Sequence, residues 1–163
     1  MKRLIVLCTL IACLSALSQA EIVKQYDRFT QKTTVSTKPI PPERGNPKLY
    51  LLATYPGEKL PRNITDATFF FASRSKEWEY LTCNNTDFLI DGKPYSPGDA
   101  VHEGNVGSGY VSEYLIYAKV TFSDIKKLAA ATKIEVKICN TEFTLSESEM
   151  NDLKEFVRLL TPE

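Results

Sequence analysis

The chain reads as an α+β domain, a mostly antiparallel β-sheet with a short helix and a C-terminal amphipathic helix packed on it. Three observations predict this. Runs of β-branched and aromatic residues recur between turn signals from Leu49 to Phe143, as in hairpins and meanders rather than strand–helix–strand units. A clear helical period appears at the end, where Met150, Leu153, Phe156, Val157 and Leu160 share one face. Just ahead of it, Ser146 and Glu149 stand at the spacing of a capping box, in which each side chain meets the other's backbone N–H at a helix start.

The first twenty residues form a unit of their own. Lys2 and Arg3 precede an apolar run from Leu4 to Leu17, and Ser18-Gln19-Ala20 follows ahead of Glu21, the pattern of a secretory signal cut after Ala20. The run falls short of the roughly 20 apolar residues a spanning helix needs, and no later segment is longer. Leu10-Ile11-Ala12-Cys13 offers a competing reading as a lipobox, with Cys13 acylated and the chain tethered to a membrane. The apolar core ahead of Cys13 would then be short and the Ser-Gln-Ala site unused, which favours soluble export.

Residues 21–47 are expected to be an extended, Pro-rich segment. Thr33-Thr34-Val35-Ser36 suits one short strand, and Pro39, Pro41, Pro42 and Pro47 around Gly45 make a stiff connector. The single α+β domain then spans 48–163. Leu49–Thr54 is a strand ended by Pro56-Gly57, Thr68–Ala72 a central strand, and Trp78–Cys83 an alternating strand. Asp87–Ile90 leads into a tight Asp91-Gly92 turn. Pro94–Gly109 reads as one long irregular loop with the sole histidine, His102, and four glycines. Tyr110–Phe122 returns to strand character. Ser123 caps a short helix over Asp124–Ala131, Ile134–Ile138 alternates as a half-buried strand, and Asn140-Thr141 turns the chain into Glu142–Leu145.

Cleavage after Ala20 leaves 143 residues, enough for one core and too few for a second domain. Losing Lys2 and Arg3 leaves 18 basic against 20 acidic residues, a net charge near −2. Such a balance projects no long-range field towards nucleic acid or anionic lipid. Cys83 and Cys139 are then the remaining thiols in an oxidising compartment, and a disulfide between them is expected. A redox role lacks the Cys-X-X-Cys spacing that lowers a thiol pKa.

With these landmarks in order, the chain resembles a family of uncharacterised exported bacterial proteins. The likeness is carried by Glu77–Cys83, Asp91-Gly92-Lys93-Pro94, Gly104–Tyr110 and Lys133–Phe143. It implies a periplasmic or secreted location and one small α+β domain, and it brings no activity, catalytic residue or ligand with it. In that setting Asn63-Ile64-Thr65 and Asn84-Asn85-Thr86 are chance matches to the glycan acceptor pattern.

The chemistry in the sequence is sparse. No cluster with metal-ligand spacing accompanies His102, and a nucleophile triad needs a base set against Ser or Cys. An envelope hydrolase would require His102 to converge with Asp91, Asp99 or Ser108. Gly104–Gly109 leads into a strand rather than a helix, unlike phosphate-cradling loops. Trp78, Tyr80, Tyr95, Tyr110, Tyr114 and Tyr117 are the candidates for an aromatic surface that takes a protein or glycan partner, with His102 beside them. The expectation is a non-enzymatic exported domain with a binding or scaffolding role and no cofactor. An envelope hydrolase and a lipid-anchored accessory subunit are the alternatives.

Overall fold

The computed structural model describes residues 22–37, 45–117 and 119–162. Among them the chain runs β1 (Ile22–Asp27), β2 (Lys32–Thr37), β3 (Lys48–Pro56), β4 (Asp66–Ser75), β5 (Thr86–Ile90), β6 (Lys93–Tyr95), β7 (Val101–Gly107) and β8 (Tyr110–Ile116). Helix α1 (Phe122–Ala129), β9 (Ile134–Ile138), β10 (Thr141–Thr144) and α2 (Glu147–Leu160) complete it. The signal segment, Cys13, Pro39, Pro41 and Pro42 lie outside the described residues.

The α+β class holds, but the strands form two antiparallel sheets rather than one. A six-stranded sheet has the order β1-β2-β3-β4-β8-β7, and a four-stranded sheet has the order β10-β9-β5-β6. Strand β4 lies in the middle of the larger sheet, as the density of Thr68–Ala72 predicts. Its inward residues Phe69 and Phe71 are 0% and 1% exposed. They meet Phe88 of β5 at ring distances of 5.8 and 6.0 Å, and Phe71 meets Phe143 of β10 at 5.6 Å. One face of the large sheet is thus covered partly by the small sheet and partly by the helices, since α2 packs on β1–β3 and α1 on β4.

The capping box at α2 forms as the sequence predicts, and it reaches further than the helix. Glu149 Oε2 accepts the backbone N–H of Ser146 at 2.8 Å, while its Oε1 accepts that of Leu49 on β3 at 3.0 Å. One carboxylate closes the helix start and ties it to the sheet. Replacing Ser146 by Ala removes a cap worth about 1 kcal/mol, a melting shift of about 2–4 °C. Glu149→Ala strips both amides and is expected to cost at least twice as much. Thermal unfolding of the two variants checks the ranking; equal losses would mean that the Leu49 contact contributes nothing.

Several boundaries differ from the sequence-based expectation, each for a local reason. The segment expected as an extended arm instead supplies the β1–β2 hairpin. Thr33 and Val35 are 0% and 1% exposed, so the packed domain takes in β2 ahead of residue 48. Trp78–Cys83 is not a strand, because Glu79 and Tyr80 give their N–H groups to a side chain, Glu113, rather than to a neighbouring strand. Pro94–Gly109 is not one loop. It ends β6 and contains β7, which pairs with β8 across the tight Ser108-Gly109 turn, where Gly109 has φ 77°. Phe122 belongs to α1, whose cap is Thr121 in a capping box with Asp124, not Ser123. The last hairpin turns at Cys139-Asn140, with Cys139 at φ 54°.

Candidate functional site

Cys83 and Cys139 form the expected disulfide, with Cα atoms 6.0 Å apart. The bridge ties the segment leading into β5 to the β9–β10 turn, and so fastens one end of the small sheet. Backbone bonding reinforces it, since the Cys139 N–H donates to the Asn85 carbonyl at 3.1 Å.

The aromatic residues that the sequence marks do not assemble into one platform. Tyr80 is 3% exposed, with its hydroxyl 3.5 Å from Thr141 Oγ1, and Tyr117 is 0% exposed among Phe69, Phe71 and Phe88. Both belong to the core and neither is a ligand surface. Burial pushes the Tyr117 phenol up to about 12, against the opposing hydrogen bond it donates to Thr86 Oγ1 at 2.5 Å. Tyr114 packs on the outward face of the large sheet against Phe70, which stacks on Tyr50. Tyr110 lies under the Arg74 guanidinium, 3.4 Å from its ring centroid. Tyr95 meets Phe88 at the edge of the small sheet.

Trp78 and His102 do come together. Their rings meet edge to face at 5.8 Å, and the Trp78 ring lies so close over Gly104 that a Cβ there would fall 2.5 Å from it. This contact is why β7 carries a glycine at 104. Beneath them sits Glu113, which is not among the residues expected at a site. Its side chain is fully buried and accepts from the N–H of Glu79 at 2.8 Å and of Tyr80 at 2.9 Å, with His102 Nε2 at 3.0 Å. Desolvation first, and then the Glu113 charge, push the Glu79 carboxyl up. The sequence does hold a signal for it, because Glu113 falls in the apolar phase of Val111, Leu115 and Tyr117.

The geometry makes Glu113 an anchor. It fixes residues 78–80 against the sheet and orients the imidazole. The cluster differs from a nucleophile triad in its order. Ser73, buried with its hydroxyl unbonded, pairs in register with Glu113, so the carboxylate rather than the imidazole stands in the middle. The partners required for hydrolysis are elsewhere. Asp91 Oδ1 accepts the N–H groups of Thr132 and Lys133 at 2.9 Å each, while Asp99 is exposed between β6 and β7 and Ser108 is exposed on the β7–β8 turn.

A recess with the volume of a ligand site lies on the outward face of the small sheet, an open trough of about 590 Å³. Register explains its shape. Phe143, Val136, Phe88 and Tyr95 are neighbours across β10, β9, β5 and β6, so their backbones form the floor while Phe143, Phe88 and Tyr95 send their rings to the core. Glu142, Lys137 and Asp87 stand along one side, and Thr144, Glu135, Leu89 and Pro94 along the other. Lys137 pairs with Glu142 at 3.0 Å, and this hydrogen bond, with the charges of Glu142 and Asp87, holds its ammonium above the usual range. Leu89 is 40% exposed, an apolar side chain at the rim of a charged trough.

These features define a two-sheet α+β domain closed by a disulfide, with a trough across its smaller sheet. No protein-family model, curated protein or solved structure matches the chain. Among the described residues no helix is long and apolar enough to cross a membrane, and no group of His, Cys, Asp and Glu has the arrangement to hold a metal ion.

Proposed function

We propose that the protein is an exported, non-enzymatic binding module of the bacterial envelope, and that the trough across β10-β9-β5-β6 takes a segment of a partner protein. The trough carries the reading. Its 590 Å³ volume falls in the range of about 300–1,000 Å³ typical of ligand sites, and its floor is held rigid by core residues. The lining holds Asp87, Glu135 and Glu142 against Lys137, which pairs with Glu142, while Lys133 from outside the lining pairs with Glu135; one acid stays in excess, which favours a segment with a basic side chain and small apolar ones. None of the side chains along its two sides is aromatic, so a sugar ring would find no stacking face there. Export is supported by the signal pattern of residues 1–20 and fits the Cys83–Cys139 bridge, which persists in oxidising compartments. The resemblance to exported bacterial proteins points the same way.

The test is an NMR titration of the mature chain with a short Lys- and Leu-containing peptide, its Glu-containing counterpart and a soluble oligosaccharide. The basic peptide is expected to shift the amides of Leu89, Lys137, Glu142 and Thr144, more weakly at high salt, and to lose this effect in Leu89→Lys. Shifts elsewhere, or equal response to all three probes, would sink the proposal. Mass spectrometry of the secreted N-terminus is expected to begin at Glu21. An acylated Cys13 would replace soluble export by the lipid-anchored accessory subunit.

A further inference from the structure

The two sheets end in four edges among the described residues: β1, β7, β6 and β10. Proteins blunt open edges with short strands, lysine or proline, because unpaired backbone N–H and C=O groups invite another chain. Three of the four edges are treated this way. Strand β6 has three residues including Lys93 and Pro94, β10 has only four, and β1 carries Lys24. Strand β7 is the longest edge at seven residues, Val101-His102-Glu103-Gly104-Asn105-Val106-Gly107, and contains neither proline, lysine nor arginine. Val101 is 53% and Val106 71% exposed on it.

We infer that β7 pairs antiparallel with β7 of a second copy, joining two six-stranded sheets about a twofold axis at Gly104. The sequence of the strand is self-complementary in this register. Glu103 faces Asn105 of the other copy, so no like charges oppose, and His102 faces Val106. Antiparallel pairing of one strand with itself closes as a dimer rather than growing into a fibre. The inward side is already shaped for it, because Trp78 lies over Gly104 and is 39% exposed, which sets the two indole rings beside the axis.

The experiment is sedimentation of the mature chain over a dilution series, read together with the fluorescence of Trp78, the one tryptophan of the sequence. A dimer that dissociates on dilution, with a matching change in Trp78 emission, is expected. Asn105→Glu sets carboxylates against Glu103 at both ends of the strand pair, and Val106→Lys adds the missing edge lysine. Each is expected to weaken association by about tenfold or more while leaving the monomer's circular dichroism unchanged. A monomer at every concentration, or a dimer indifferent to both substitutions, would overturn the inference. A dimer lost instead in Leu89→Lys would move the second copy to the trough and overturn it equally.

Discussion

Glu113→Ala is expected to destabilise the protein by about 3–5 kcal/mol, a large share of the stability of a single small domain. The loss follows from what the side chain holds. Its carboxylate, itself closed to water, is the acceptor for two backbone amides and one imidazole, and a buried donor left without a partner costs about 1–3 kcal/mol. Glu113→Gln separates geometry from chemistry. The amide keeps the shape, but its single oxygen cannot meet both the Glu79 and the Tyr80 N–H, so a loss of about 2 kcal/mol remains. His102→Ala removes only the partner at the exposed end and is expected to cost less than either. Denaturant unfolding gives the ranking, and hydrogen exchange at Glu79 and Tyr80 locates it. If Glu113→Gln kept full stability and slow exchange at both amides, Glu113 would not be the anchor of residues 78–80.

Removing the disulfide is the second large effect. Cys83 and Cys139 are 56 residues apart, and the chain-entropy relation assigns a loop of that length about 4 kcal/mol. The double variant Cys83→Ala, Cys139→Ala is therefore expected to melt roughly 8–16 °C lower. Because the bridge fastens the end of the small sheet, exchange should quicken first in β9, β10 and the start of β5. An unchanged midpoint after reduction would show that packing of Phe88, Val136 and Ile138 suffices on its own. Uniform loosening across both sheets would argue instead for an effect on the unfolded chain alone.

Much of the architecture is legible in the sequence wherever local preference and burial agree. The alternation of Ile134, Val136 and Ile138, the Asp91-Gly92 turn and the Ser146–Glu149 capping box all appear in the structure because the local signal and the tertiary contacts favour one state. Strand β7 is hidden for the opposite reason. It is an edge strand, exposed along most of its length, with two glycines, so it has neither apolar alternation nor β-propensity to announce it. Trp78–Cys83 misleads because a strand-like alternation there serves another end: Trp78 covers Gly104, Tyr80 enters the core and Cys83 reaches its bridge. The trough cannot be read ahead of the register, since its sides come from four strands whose order the sequence does not state. Of the aromatic surface expected from sequence, Trp78 and His102 remain together, Tyr95 turns its ring to Phe88 beneath the trough, Tyr110 sits apart under Arg74, and Tyr80 is interior.

The link from Glu149 to Leu49 spans one hundred residues. A ribosome releases the chain from its N-terminal side, so β3 emerges long before the carboxylate that completes its hydrogen bonding. Until that late residue arrives, the amide of Leu49 and the apolar floor beneath the final helix stay open to water. The order of the chain thereby keeps the domain open until synthesis is nearly complete, and a message cut short before residue 149 would yield a product unable to close, ready for proteolysis.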